Sequence, residues 1–250
     1  MTTPQPPAIE LRHVTKSFGT RRVLDDVNLT VPAGCGFCIL GRSGTGKSVT
    51  LKHIIGLMHP DSGQVLVQGE DITHLPTRAL SRVRRAIGFL FQNAALFDSI
   101  TVGENVAFPL RRHTPLSDSE IRAKAAELLA QVGLDREYDK MPADLSGGMR
   151  KRAGLARAMA LDPAILLADE PSAGLDPITA GEIDQLLVEL KTRERTTLVV
   201  VTHNIPSARA IADELVFLHE GRVVARGTAA ALDHSDHPMV AEFMRSTGAG

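Results

Sequence analysis

The sequence predicts an α/β fold with a parallel-sheet core, and three observations carry that prediction. Residues 37–40, 86–91, 165–168 and 196–201 are short apolar or β-branched runs, the pattern of strands buried on both faces. Between them lie stretches with helical spacing of apolar residues, as an alternating strand–helix architecture requires. The alternation is interrupted once, between Phe91 and Ile165, by a long helical and irregular segment that reads as an insertion into the core.

Taken in order, residues 1–7 are Pro-rich and are expected to form a disordered tail. Residues 8–14 and 23–31 alternate apolar and polar side chains, as strands with one solvated face do. The buried strand 37–40 ends at Gly41, where a glycine-rich turn begins, and 49–57 then has helical character. His59, Pro60, Asp61, Ser62 and Gly63 break that helix before a strand at 64–68. A basic helix at 77–85 leads into the strand 86–91.

Within the insertion, Ser117 and Glu120 have capping-box spacing: the hydroxyl caps an amide and the carboxylate reaches back. Ile121, Ala125, Leu128, Leu129 and Val132 fall on one helical stripe, and Gly133 supplies the stop. After Pro163 the buried-strand pattern returns at 165–168. Asp176 followed by Pro177 opens another helix, with Ile183, Leu186, Leu187 and Leu190 as its buried stripe. Strands 214–219 and 222–226 pair through Glu220 and Gly221.

A chain of 250 residues is near the upper size of one domain, or of two subdomains sharing a core. Lys plus Arg number 28 against 29 acids, so the basic excess of a dedicated nucleic-acid binder is missing. No apolar run approaches the roughly 18 residues that span a bilayer. The opening MTTPQPPAIE has neither the basic nor the apolar region of a secretory signal, so a soluble intracellular chain is expected. Cys35 and Cys38 have Cys-x-x-Cys spacing but no second pair to complete a zinc site. They read as two small core residues on opposite faces of a strand.

The chemistry concentrates in three places. Gly41, Arg42, Ser43, Gly44, Thr45, Gly46, Lys47 and Ser48 fit G-x-x-x-x-G-K-[ST] between a buried strand and a helix that continues from Val49. Glycines let successive amides point inward as an anion cradle at a helix N-terminus. Lys47 then reaches the β- and γ-phosphates of a nucleotide, and Ser48 can ligate Mg²⁺. Second, the strand 165–168 delivers Asp169 and Glu170 to the sheet edge where ligands sit. Asp169 suits holding Mg²⁺ through its water shell. Glu170, pointing the other way, suits orienting and deprotonating an attacking water. Third, Ser146, Gly147 and Gly148 precede an Ala- and Arg-rich helix and form a second exposed helix N-terminus able to meet an anion. One nucleotide has no use for both ends of one chain. A two-fold dimer, each subunit's Ser-Gly-Gly end closing on the other's nucleotide, resolves this.

The phosphate loop, Gln92 after a strand, LSGGM at 145–149, ILLADE at 165–170, GLD at 174–176 and His203 after a strand occur in the order of the nucleotide-binding subunit of ABC transporters, which the chain resembles over nearly its whole length. The resemblance implies a P-loop NTPase (RecA-like) core with an N-terminal antiparallel β subdomain and a helical insertion. It implies one nucleotide-binding domain at 8–250: core at 8–93 and 155–227, helical signature subdomain at 94–154 and a C-terminal extension at 228–250. It also implies roles. Phe18, usually tyrosine in the family, stacks on adenine, and Gln92 senses Mg²⁺ and the water. Asp176 lies in the loop crossing between subunits, and His203 contacts the γ-phosphate. In isolation Phe18 reads as core, Gln92 as loop and His203 as a capping or surface histidine.

Within the family, FQNAALFDSITV at 91–102, ENVAFPL at 104–110, LSGGMRKR at 145–152, GLDPI at 174–178 and SDHPMVAEFM at 235–244 resemble the phospholipid-transport branch of MlaF-type ATPases. Met149 departs from the glutamine usual in the wider family, and a thioether cannot replace an amide's hydrogen bonds. The branch implies a homodimer on the cytoplasmic face of the inner membrane. It sits beneath an MlaE-like permease, with a small MlaB-like STAS subunit and an MlaD-like Mce-domain protein that binds lipid. Phe97, Ile100 and Val102 then offer apolar surface to the permease, whereas Phe108 is expected to pack the helical subdomain. The clusters at Arg82, Arg84 and Arg85, at Arg111 and Arg112, and at 150–152 read as solvated faces, with Arg111 and Arg112 also able to lie near lipid head groups. Three other readings stay open: an ABC ATPase for another cargo, a non-transport ABC ATPase, and a small-molecule kinase with the same phosphate loop.

Overall fold

The computed structural model describes residues 6–246. Most of the expected tail, residues 1–5, lies outside them; Pro6 and Pro7 lead into the first strand.

The chain runs β1 (Ile9–Phe18), β2 (Arg21–Val31), β3 (Gly36–Leu40), α1 (Lys47–Ile54), β4 (Ser62–Val67), β5 (Glu70–Asp71), α2 (Thr77–Arg85) and β6 (Ile87–Leu90). The insertion follows as α3 (Val102–His113), α4 (Asp118–Gln131), a 3₁₀ turn at Pro142–Asp144 and α5 (Gly147–Met159). The rest is β7 (Ile165–Asp169), α6 (Pro177–Glu194), β8 (Thr197–Thr202), α7 (Ile205–Ile211), β9 (Glu214–His219), β10 (Arg222–Gly227), α8 (Ala229–Asp233) and α9 (Pro238–Arg245).

Two sheets form. One has four antiparallel strands in the order β2-β1-β4-β5; the other has six, ordered β10-β9-β3-β8-β7-β6. In the larger sheet β9, β3, β8, β7 and β6 are parallel and only β10 is antiparallel. All residues of β3, β7 and β8 are buried, which is why those strands carry no polar alternation. One apolar cluster joins the small sheet to one face of the large sheet around α1, through Leu24, Phe37, Ile39, Leu51 and Ile54. A second packs α3, α4, α5 and α6 on the other face, through Cys38, Leu129, Leu155 and Leu187. Cys35 and Cys38 thus face opposite clusters, but Cys35 is half-buried rather than core.

Local signals behave as their chemistry requires. Ser117 and Glu120 form the capping box, with the Ser117 amide donating to Glu120 Oε2 at 2.8 Å. The α4 stop is a Schellman turn: Leu134 N–H reaches Leu129 O at 2.8 Å, with Gly133 at φ +72°. Glu220 and Gly221, both at positive φ, make the tight turn between β9 and β10.

Four expectations are corrected. Val102 is fully buried at the start of α3, held there by a second capping box from Thr101 and Glu104, so it offers no surface. Phe108 is 49% exposed and packs at a tilt against Phe97, 4.9 Å between ring centroids, instead of entering the helical core. Within 150–152 only Arg150 is exposed. Lys151 is buried, and Arg152 donates to Val132 O and Glu182. Arg84 likewise leaves solvent to donate to the carbonyls of Ile55 and Gly56 at the end of α1.

Candidate active site

The phosphate loop connects β3 to α1, at the carboxyl edge of the large sheet. Its bends need glycine at two positions. Gly46 has φ +105°, and a Cβ there would lie 2.7 Å from Leu24 Cδ2 and 2.8 Å from Val23 O. Gly41, at φ +155°, is crowded by the Leu218 carbonyl. The helix starts at Lys47, two residues before the sequence suggests, so its first amides are part of the loop. Buried Lys47 donates from Nζ to Gly41 O at 2.8 Å and Arg42 O at 3.1 Å, and lies 3.6 Å from Glu170 Oε1. Burial pushes its pKa down, while Glu170 and Asp169 pull it back up.

Asp169 ends β7, and Ser48 Oγ donates to its Oδ1 at 2.8 Å. Burial pushes this carboxyl's pKa up, opposed by the Ser48 hydrogen bond. A hydroxyl beside a partly desolvated carboxylate is a hard-oxygen pair suited to Mg²⁺, which takes one or two protein ligands and completes its shell with phosphate and water. Among the described residues no group of three His, Cys, Asp or Glu side chains is placed for a metal, so a protein-only cage is not what is built.

Glu170 leaves the strand at φ +47°, a left-handed conformation costing about 1–3 kcal/mol for a non-glycine residue. That turn sends the two carboxylates apart. Asp169 faces Ser48; Glu170 sits between Lys47 Nζ, 3.6 Å from its Oε1, and β8, where Thr202 Oγ1 donates to Oε2 at 3.1 Å and His203 Nδ1–H donates to Oε1 at 3.0 Å. The His203 backbone amide adds a longer contact of 3.4 Å to Oε2. A cavity of about 720 Å³ opens beside Glu170 and His203, with room for water.

The remaining predicted residues are placed as follows. Phe18 ends β1 in the turn before Arg21, 47% exposed, with Lys16 Nζ over its ring at 5.8 Å from the centroid. Gln92 is exposed after β6. Ser146 is the N-cap of α5, its Oγ accepting from Met149 N–H at 3.2 Å. Ser146 and Gly147 are exposed, but Gly148, expected to share that exposed end, is buried against Thr179 of α6. The Met149 side chain packs against the helical core, which explains why an apolar residue serves there. Asp176 caps α6 through the amides of Ile178 and Thr179, both at 3.1 Å. The cradle and the Ser146 end therefore stand on different layers of one chain: the first between β3 and α1, the second on the insertion.

Two residues of this region escape sequence reasoning. Arg157 on α5 donates to Ala94 O and Ala95 O, each at 2.7 Å, and so clamps the loop after Gln92, where both alanines have positive φ. Buried Asp184 on α6 lines the cavity beside Glu170, with Oδ1 unpartnered. Burial raises its pKa, against the Ser207 and Ser172 hydroxyls. Such a carboxyl costs nothing below its unfolded pKa and destabilises progressively as pH rises through the folded value. Asp184→Asn is therefore expected to raise the thermal midpoint of the nucleotide-free protein near pH 7 and not near pH 3, below the ordinary aspartate pKa. An equal shift at both pH values in scanning calorimetry would contradict this.

A glycine cradle with lysine, a hydroxyl–carboxylate pair and a second carboxylate held by histidine define a P-loop ATPase cassette. Residues 24–173 match the family model described as ABC transporter, and the chain belongs to that family. It is 45% identical over 243 residues to the probable ribonucleotide transport ATP-binding protein mkl of Mycobacterium tuberculosis, covering 97% of this chain and 68% of that protein. It is 41% identical over 236 residues to the intermembrane phospholipid transport system ATP-binding protein MlaF of Escherichia coli K12, covering 94% and 88%. The dimeric ATP-binding cassette MJ0796, solved bound to ADP and Pi in a post-hydrolysis state, superposes with TM-score 0.82 at 36% identity, covering 88% of this chain and 98% of that one. The chain is thus the ATP-binding, ATP-hydrolysing subunit of an ABC transporter.

Proposed function

We propose that two copies of this chain close around two Mg-ATP molecules and drive phospholipid transport through a separate permease. The observation that carries the ATPase chemistry is the divergence of Asp169 and Glu170 at the end of β7, one hydrogen-bonded to Ser48 and the other to Thr202 and His203. ATP lies with its phosphates in the Gly41–Ser48 loop, including the Val49 amide end of the cradle, and adenine on Phe18. Ser48 and Asp169, with Gln92 nearby in the fold, would hold Mg²⁺, which supplies charge neutralisation between the phosphates. Glu170 takes a proton from water as its oxygen bonds the γ-phosphorus and the bond to the ADP oxygen breaks. His203 gives Nδ1–H to Glu170, which leaves Nε2 as the ring atom available to the γ-phosphate.

Ser146, Gly147 and Gly148 of one subunit face the nucleotide of the other, and Asp176 lies in the crossing segment between them. This assigns 94–154 as the helical signature subdomain, 8–93 with 155–227 as the catalytic core and 228–250 as an extension. Phe18→Ala should raise the KM for ATP about 3–10-fold, the worth of one aromatic stack, with kcat little changed. Phe18→Tyr should match the unmodified protein; a KM unmoved by alanine would remove Phe18 from the site.

No helix among the described residues is long and apolar enough to cross a membrane, so cargo contact falls to partners. We place the chain on the cytoplasmic face of the inner membrane with an MlaE-like permease, an MlaB-like STAS subunit and an MlaD-like Mce-domain protein. A groove of about 570 Å³ lined by Phe91, Phe97, Phe108, Arg84, Arg85 and Arg157 is our candidate for the surface that receives the permease's docking segment. The phospholipid reading rests on likeness to MlaF over nearly the whole chain. The mkl name favours a second reading, ribonucleotide cargo through the same motor. Purification of the detergent-solubilised complex with mass spectrometry of companions and bound small molecules separates them. Phospholipid with an Mce-domain partner supports the first, and nucleotide cargo without one supports the second.

A further inference from the structure

We propose that Lys151 is a positioning residue that couples the two ATP sites of the dimer by holding the backbone of Glu170. The proposal rests on the reading of Glu170 as base and of the Ser146 end as the surface facing the partner's nucleotide. Lys151 lies one turn into α5, on the helix whose first residues form that end. It is only 6% exposed, and its Nζ donates to Glu170 O at 3.0 Å. Among the described residues no carboxylate lies within ion-pair reach of it. A buried ammonium satisfied by one carbonyl is costly to maintain, and burial does push its pKa down.

What it holds is the strained point of the site. The same carbonyl accepts from Ala173 N–H at 3.2 Å, at the start of the segment leading to Asp176. Lys151 therefore ties α5, the left-handed Glu170 turn and the 173–176 segment at one atom. The tie is stiff at its other end too: a Cβ on Gly148 would come within 2.5 Å of Thr179 Cγ2, so the first turns of α5 and α6 are in direct contact. When the partner's γ-phosphate engages the Ser146 end, any shift of α5 is transmitted through Lys151 to the turn that aims the Glu170 carboxylate.

The test measures ATPase rate against ATP concentration, nucleotide affinity and thermal midpoint for the full chain. Lys151→Met should lower kcat at least about 10-fold, the scale of losing one charged hydrogen bond. KM and nucleotide affinity should stay within about twofold and cooperativity in ATP should disappear. Lys151→Arg, which keeps a charged donor, should recover most of the turnover. Wild-type turnover and cooperativity in Lys151→Met would overturn the proposal. So would a loss of turnover, affinity and thermal midpoint together that arginine does not rescue. Should the methionine variant fail to fold, Lys151→Gln is read by the same criteria. Glu170→Gln assayed in parallel separates the levels. Full activity there sinks the reading of the base itself; an inactive Glu170→Gln beside a normal Lys151→Met sinks only the coupling.

Discussion

Glu170→Gln should cut ATP turnover by about 10²–10⁴-fold, the usual contribution of a positioned general base, while ATP binding is retained. The amide keeps the side chain's volume and can still accept from Thr202 Oγ1 or His203, so the turn after β7 has no reason to collapse. What it loses is the ability to take a proton, and nothing else at that point replaces it: Asp169 faces away toward Ser48. With hydrolysis stopped, ATP holds the closed arrangement. ATP can favour that arrangement only through its greater affinity for it, and the variant removes the step that ends the bias. Phosphate release checks the first part and calorimetric titration the second. Turnover within about threefold of the unmodified protein would remove Glu170 from its role.

Lys47→Ala should weaken ATP binding by about 10²–10⁴-fold, to the point of being undetectable by calorimetry at ordinary protein concentrations. A charged hydrogen bond to phosphate is worth about 1.5–3 kcal/mol, and in the proposed ATP complex Lys47 makes two, to the β- and γ-oxygens. Its present partners reinforce the effect. Nζ holds the carbonyls of Gly41 and Arg42, so its removal also frees the loop whose amides form the cradle. An unchanged ATP affinity would mean that the loop does not bind phosphate.

Much of this architecture is legible in the chain because its signals are local. A strand buried on both faces needs an unbroken apolar run, and 165–168 supplies one; a phosphate loop needs glycines at fixed offsets before Lys47. Capping chemistry is equally local, and Ser117 with Glu120 shows it. Other features depend on partners distant in sequence. β1 runs on to Phe18 because β2 pairs with it through Arg21, although residues 15–18 lose the clean alternation. Val102 and Phe108 exchange their expected exposures because the Thr101 capping box, itself visible as Thr101 and Glu104, fixes the rotation of α3. Lys151 sits in a basic run that looks solvated, and only the fold brings Glu170 O to it across 19 residues. Burial of a lone charge in a polar run leaves no trace in periodicity.

The central claim is that the phosphate loop of one copy meets the Ser146 end of the other. The most direct measurement is disulfide crosslinking of Ser43→Cys with Gly147→Cys in one chain lacking Cys35 and Cys38, with Glu170→Gln added to halt turnover. Both sites are exposed in the single chain. With Mg-ATP the account predicts a covalent dimer joined at both interfaces, and little of it with ADP. Equal crosslinking with and without ATP, or none in an ATP-loaded assembly, would contradict it.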